Sequence, residues 1–229
     1  MSKNRLLAIL KDLKLPLSLI LWIESFLSDR VIRLTFDGQI ELFKPIRTGI
    51  PQGSPISPIL FLIYIRDLFQ SRAVTLISYL DDISLTTSSK SFSKNTKILE
   101  REVKDLIQLG DKNAISFDIA KTELIHFQKN SKNKPTLKLP SGYIVKSKPL
   151  VKWLGVYFDE NLNYKEHIAI KASKARQAFH RMNRLANISQ GLSPTAIRQL
   201  YIACVTSVAD YGSILWYKDT ISEAKLAPL

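Results

Sequence analysis

The chain has 229 residues, 45% hydrophobic and 23% charged, which is long enough to bury a sizeable core and too apolar for a disordered protein. Its single cysteine, Cys204, excludes an internal disulfide and a cysteine-based zinc site, and its longest uninterrupted apolar run, residues 59–65, falls far short of the roughly 20 residues that span a bilayer. The net charge of +13 is uneven, with 13 basic against 3 acidic residues in 128–184, which points to a polyanionic partner rather than to general solubility, or else marks a solvated surface with a lysine-rich loop.

Residues 4–15 carry Leu6, Leu7, Ile9, Leu10 and Leu13 at helical spacing and stop before Pro16, which predicts a helix. The N-terminal Met-Ser-Lys-Asn-Arg-Leu-Leu lacks the apolar stretch and cleavage site of a secretory signal, so an intracellular protein is expected. A second helix is predicted over 17–28, with Leu19, Ile20, Trp22, Ile23, Phe26 and Leu27 on a broad apolar face. Residues 31–36 and 40–46 flank Asp37-Gly38, a strong hairpin signal. After a loop over 49–53, Ser54-Pro55 reads as the N-cap and first residue of a helix running to about residue 70. Residues 73–80 and 83–87 form a second hairpin with Asp81-Asp82 at its tip. A helix over 91–109 turns Ile98, Val103, Leu106 and Ile107 inward, and 114–119 and 121–127 are strand-like. A polar, lysine-rich stretch over 128–148 is broken by Pro135, Pro140 and Gly142, and 151–158 reads as a strand pair containing a glycine. Beyond Asn161 the pattern is helical, over 164–186 and 194–216, with Ile168, Ala172, Ala175, Phe179 and Met182 as the buried side of the first helix. The fold class is therefore α+β over 1–160 followed by an all-helical region over 161–229. Cys204 lies in the apolar segment 200–208 and is expected to be a buried, inert thiol. His167 and His180 are expected on the surface, and His126 in a structural position.

Two adjacent carboxylates at a tight turn repel each other where Asn-Gly or Asp-Gly would turn with less strain. Asp81 and Asp82 are thus either ligands presented to a hard divalent cation or an ordinary aspartate-rich turn. Gln52-Gly53 stands before a helix, where glycine lets backbone amides approach phosphate or base, or where it simply makes the turn.

Four stretches in one order carry a family resemblance. Arg47-Thr48-Gly49-Ile50-Pro51-Gln52-Gly53-Ser54-Pro55 resembles the Pro-Gln-Gly block of reverse transcriptases, and Tyr79-Leu80-Asp81-Asp82 their Tyr-x-Asp-Asp block. Lys121-Thr122-Glu123 resembles the following Lys-Thr-Glu block, and Trp153-Leu154-Gly155-Val156 the Leu-Gly hairpin after it. Together with Trp22-Ile23-Glu24-Ser25-Phe26-Leu27-Ser28-Asp29-Arg30, they are most similar to the enzymes of non-LTR (LINE-type) retrotransposons, of fungal type. The resemblance implies a polymerase palm, an antiparallel sheet with helices packed on one face, followed by a helical thumb. It implies that Asp81 and Asp82 hold Mg²⁺ or Mn²⁺ in a two-ion site for nucleotidyl transfer to a primer 3′-hydroxyl. Pro51, Gln52, Gly53, Ser54 and Tyr79 would meet the template and the incoming deoxynucleoside triphosphate, and Trp153, Leu154 and Gly155 would grip the DNA primer, unless Trp153 is a plain core residue beside a bulge. Lys121 would protonate the leaving pyrophosphate, or else is a strand-edge lysine paired with Glu123 or solvent. Lys171, Lys174, Arg176, Arg181 and Arg184 would track the backbone of the RNA template and its primer. The family also implies a nuclear location.

The resemblance further implies a third carboxylate, in a block similar to Phe-Asp-x-x-x-Ala-Phe-Asp ahead of residue 4, and neither Asp12 nor Asp118 replaces it. The expectation is an N-terminally truncated reverse transcriptase, lacking fingers and holding an incomplete metal site, that does not polymerise alone. The alternative is a catalytically dead relic that binds nucleic acid or has no function.

Overall fold

The computed structural model describes residues 1–69, 73–128, 134–184 and 191–217. Residue 70 at one predicted helix end, 129–133 of the lysine-rich stretch, and 185–186 at another helix end lie outside these. The chain divides into two compact units, Met1–Thr122 with Pro135–Val145, and Glu123–Lys134 with Lys146–Leu229. Helices mix with five antiparallel strand pairs among the described residues, an α+β fold. No helix among these residues is long and apolar enough to cross a membrane.

In the first unit, α1 (Lys3–Asp12) and α2 (Leu17–Leu27) bury stripes at helical spacing, Leu6, Ile9 and Leu10 on one and Ile20, Ile23 and Leu27 on the other. These pack with Leu60, Tyr64 and Ile65 of α3 (Ser57–Ile65) and with Leu106 of α4 (Phe92–Lys112). Each such side chain contributes about 1.5–3 kcal/mol when fully buried. The broad apolar face expected on α2 is wider than the core it covers: Trp22 is 52% exposed and stacks on Phe26. A polar network ties three helices together where the core reaches Tyr64. The Tyr64 hydroxyl donates to the Asn113 carbonyl and accepts from the Ser2 amide, while Arg5 Nε donates to Asn113 Oδ1 at 3.0 Å. Tyr64 and Asn113 are buried and paired, which offsets the cost of desolvating them, while Arg5 caps the network from the exposed side.

Helix α3 begins two residues later than Ser54-Pro55 suggested. Ser54 caps nothing, and Pro58 occupies the first turn, because residues 54–56 form a separate turn in which the Ser57 amide donates to the Ser54 carbonyl. The Asp37-Gly38 hairpin forms as expected, with β2 (Thr35–Phe36) and β3 (Gln39–Ile40) in the register Phe36↔Gln39 and both turn residues at positive φ. Towards its base, β1 (Val31–Ile32) pairs with β4 (Lys44–Pro45) one residue out of step, so a bulge falls within 41–43.

Two regions differ from the sequence reading. Residues 114–119 and 121–127 form no strand pair: they hold a 3₁₀ turn, Ile119–Lys121, and a single isolated bridge, Leu124↔Ser147. Their apolar residues are used in packing instead, with Phe117 lying so close to Gly110 of α4 that a Cβ there would sit 2.5 Å from the ring. Conversely, the lysine-rich stretch contains a hairpin whose Leu137, Leu139 and Val145 are buried while Lys138 faces out. Its period-2 alternation was hidden by the lysines. In chain order the remaining strands are β5 (Thr75–Tyr79), β6 (Asp82–Thr86), β7 (Leu137–Lys138), β8 (Ile144–Val145), β9 (Leu150–Trp153) and β10 (Val156–Asp159).

The second unit carries the β9–β10 hairpin, α5 (Lys165–Asn183), α6 (Pro194–Tyr201), α7 (Ser207–Ala209) and α8 (Ser213–Trp216). Ser193 caps α6 by accepting the Ala196 amide, with Pro194 at the first position. Ala175 and Met182 of α5 pack against Val205 and Ala209, as the spacing predicted, although Phe179 stays 40% exposed. Asp159 turns the hairpin into α5: its carboxylate accepts the amides of Asn161, Asn163 and Tyr164. Two expectations are corrected here. Cys204 is exposed, because the helical stretch 202–209 turns Val205 and Ala209 inward and a mostly apolar run does not tell which face is which. His167 is fully buried, held between two backbone groups described below.

Candidate active site

The carboxylate hairpin is set by its apolar pattern. Leu76↔Leu85 and Ser78↔Ile83 face the core of the first unit, and a one-residue slip would turn all four to solvent. That register pairs Tyr79 with Asp82 and leaves Leu80-Asp81 as the two corner residues, one position earlier than the Asp-Asp tip expected. Asp82 therefore begins β6 on the open face, beside Tyr79, Ile77 and Ser84, while Asp81 stands on the corner itself. Leu80 holds φ +54°, a left-handed conformation that costs a leucine on the order of 1 kcal/mol. Both carboxylates are exposed, and among the described residues neither has an ion pair or hydrogen bond. No group of three or more His, Cys, Asp or Glu able to hold a metal occurs among those residues, so the tip offers a pair of hard oxygen donors.

The Pro-Gln-Gly loop is anchored from both ends. Arg30 Nη2 donates to the carbonyls of Thr48 and Gly49, each at 2.9 Å, and the Gly49 amide donates to the Met1 carbonyl. Ser57 Oγ donates to the Pro51 carbonyl at 2.6 Å. Ile50 and Ile56 seat the loop on the same core that carries Leu76, Ile83 and Leu85. Gly53 has φ +87° with nothing within 4 Å of where a Cβ would stand, and Gln52 is exposed; Pro51 and Ser54 are half-buried. Arg30 as the clamp was not foreseen, although it ends the Trp22-to-Arg30 stretch that carried part of the resemblance.

Lys121 pairs with Asp118 at 3.1 Å, not with Glu123, which binds Lys148. The 3₁₀ turn puts residues 118 and 121 on one side. At 84% exposed, that pair is worth little and leaves the ammonium accessible.

In the second unit, the Trp-Leu-Gly hairpin turns at Leu154-Gly155, both at positive φ, in the register Trp153↔Val156. Its tip is filled. The Tyr211 ring lies against Gly155, where a Cβ would sit 3.0 Å from it, and its hydroxyl donates to the Leu154 carbonyl at 2.6 Å. Lys171 Nζ stands 3.8 Å from the centroid of the Tyr211 ring. Burial pushes the Lys171 ammonium below its usual range, helped by Lys174 and Lys152. His167 Nδ1 accepts the Tyr157 amide at 3.2 Å and Nε2 donates to the Tyr211 carbonyl at 2.9 Å, which fixes the neutral tautomer. Burial pushes its pKa down, against a rise from the Tyr211 bond, with Lys171 adding to the fall. The glycine thus accommodates Tyr211. Neither Tyr211 nor His167 was legible beforehand, since the contacts that matter lie 57 and 44 residues away in sequence. Trp153 is half-buried with its Nε1 unpaired.

Of the basic residues of α5, Lys171, Lys174, Arg181 and Arg184 fall within one face, at roughly 100° per residue, whereas Arg176 lies nearly opposite Lys174. Lys174, Arg176, Arg181 and Arg184 are exposed.

Residues 3–158 match a family model described as reverse transcriptase (RNA-dependent DNA polymerase). The chain is similar to the RNA-directed DNA polymerase from mobile element jockey of Drosophila melanogaster, at 27% identity over 208 residues, 87% of this chain and 22% of that protein. It is similar to the probable RNA-directed DNA polymerase from transposon BS of the same organism, at 24% identity over 85% of this chain and 22% of that protein. It is also similar to the Pol polyprotein from type-1 retrotransposable element R1 of Bradysia coprophila, at 22% identity over 86% of this chain and 20% of that protein. The chain spans about a fifth of the length of these curated relatives. No solved structure matches it.

Proposed function

This chain belongs to the reverse transcriptase family, and from that premise we propose that it is part of the polymerase domain of a non-LTR retrotransposon, extending DNA primers on an RNA template. The observation that carries the proposal is the exposed, partnerless Asp81–Asp82 pair on a strained corner, seated on the same core as the clamped Pro-Gln-Gly loop. Such a pair contributes nothing to the fold and suits a hard divalent ion, Mg²⁺ or Mn²⁺, for which it is part of a ligand set. When bound, divalent ions would activate the primer 3′-hydroxyl and stabilise the leaving pyrophosphate.

The chain's own residues supply position. Arg30 and Ser57 hold the loop so that Gln52 and the open side of Gly53 meet the template and the incoming deoxynucleoside triphosphate. Tyr79 shares the open sheet face with Asp82. Lys121 is free to move from Asp118 towards a leaving pyrophosphate and give it a proton. Trp153, Leu154 and Gly155 would guide the primer, with Leu154 and Gly155 fixed by Tyr211. Lys174, Arg181 and Arg184, with Lys171 beside them, would follow the phosphate backbone. In this reading residues 1–160 are palm and 161–229 thumb, and the protein works in the nucleus. The named relatives are insect elements, and the fungal type suggested by the block's form is a separate proposal that flanking genomic sequence tests.

A second reading has its own support: the exposed cations Lys174, Arg181 and Arg184 on one face of α5 suit nucleic-acid binding with or without catalysis. Primer extension on an RNA template with Mg²⁺ and with Mn²⁺ separates the two. Extension that vanishes in Asp81→Ala supports the polymerase; equal background in both chains overturns it for this polypeptide.

A further inference from the structure

The polymerase reading assigns nothing to the outer face of α4, which turns its apolar residues to the core of the first unit. Lys94, Lys97, Arg101 and Lys104 are exposed along one side of it, recurring at intervals of three and four residues over about 15 Å of helix. The acidic residues that would offset them are mostly withdrawn. Glu100 accepts the Lys138 amide at 2.9 Å, and Glu102 is 4% exposed and bonded to Arg101. Only Asp105 stays on that face, against four cations. Lys94, Lys97 and Lys104 carry no ion pair among the described residues. At one end they border an open depression of 480 Å³ lined by Ser91, Ser93, Lys94, Lys97, Ile98 and Arg101. Its rim is cationic and hydroxylic, with Ile98 its single aliphatic side chain.

We propose that this face of α4 is a second nucleic-acid surface, binding a phosphate backbone apart from the Asp81–Asp82 hairpin. The hairpin and α4 are distinct elements that each pack apolar residues on one core, and the four cations all lie on α4. Three or four cations over about 15 Å match consecutive phosphates of one strand, and the scarcity of apolar side chains suits a sugar–phosphate backbone better than an acidic peptide, which also needs apolar anchors. The proposal rests on the polymerase reading for the class of partner only. A second surface would hold template or product beyond the reacting end, giving affinity without sequence choice.

The test is a salt titration of binding by the full chain, using a fluorescein-labelled RNA–DNA primer–template and labelled poly-glutamate. Lys94→Gln, Lys97→Gln and Lys104→Gln are combined in one variant, since glutamine keeps helix propensity and leaves the Arg101–Glu102 pair intact. A second variant combines Lys174→Gln, Arg181→Gln and Arg184→Gln on α5. Loss of three phosphate contacts lowers the slope of log K against log salt by about 2–3 and weakens binding at least tenfold at moderate salt, with the thermal midpoint unchanged. An unchanged slope in the α4 variant overturns the inference; if the α5 variant is weakened in the same experiment, the polymerase reading stands. Slopes lowered in the α4 variant alone support the inference and count against the thumb assignment. Poly-glutamate that binds as tightly as the primer–template, with the same dependence on α4, overturns the choice of partner.

Discussion

The chain contains two hairpins closed by two-residue corners, Leu80-Asp81 and Leu154-Gly155, each inside a block that resembles a reverse-transcriptase motif. At the first, a leucine is held at positive φ and left 43% exposed, and two carboxylates stand open to solvent. At the second, Leu154 holds a positive φ as Leu80 does, but Gly155 follows it, Tyr211 fills the space over the glycine, and the corner carbonyl is bonded. A corner built for stability looks like the second. Both corners strain a leucine, but the first alone adds charge repulsion that the fold does not need, and such local cost is where function is sought.

The largest effect that separates the corners is at Gly155. Gly155→Ala places a Cβ against Tyr211 and strains φ, and costs about 2–3 kcal/mol in denaturant unfolding. Gly53→Ala, at a similar φ but in open space, costs only about 1 kcal/mol; equal losses would mean that Tyr211 does not hold the hairpin. At the bare corner the sign reverses. Leu80→Gly releases the strained φ and stabilises by about 0.5–1 kcal/mol, and a loss instead would show that Leu80 packs in a way the structure lacks.

A smaller, pH-dependent effect belongs to the second corner alone. The folded pKa of His167 is lowered, so the unfolded chain takes up its proton first as pH falls. The stabilisation is fully present above the ordinary histidine value of 6.5 and is lost as pH drops below it. Denaturant midpoints at pH 7.5 and 5.5 should differ more in the wild type than in His167→Gln. Identical differences in both would remove His167 as the cause.

What was legible in the sequence follows the range of the interactions. Helices α1, α2, α4 and α5 and the hairpins at Asp37-Gly38 and at the Asp-Asp block rest on local periodicity and turn chemistry, and they stand close to their expected bounds. The start of α3 moved because two Ser-Pro pairs compete within five residues, and the structure uses Pro58. Phe117 against Gly110, Tyr211 against Gly155 and the burial of His167 are tertiary choices that no local pattern encodes. The motif residues themselves were singled out through the resemblance, but the environment of each was not legible: Lys121 bonds Asp118, and Gly155, read as gripping the primer, lies against a tyrosine.

The central claim, that the Leu80-Asp81 corner is kept for a divalent ion, is tested most directly by adding substoichiometric Mn²⁺ to the ¹⁵N-labelled chain. Paramagnetic broadening centred on the amides of residues 79–83, displaced by excess Mg²⁺ and absent from the Asp81→Asn/Asp82→Asn variant, is the predicted result, with the thermal midpoint of that variant within about 2 °C of the wild type. Broadening that is absent at the corner, or that persists unchanged in the variant, would contradict it.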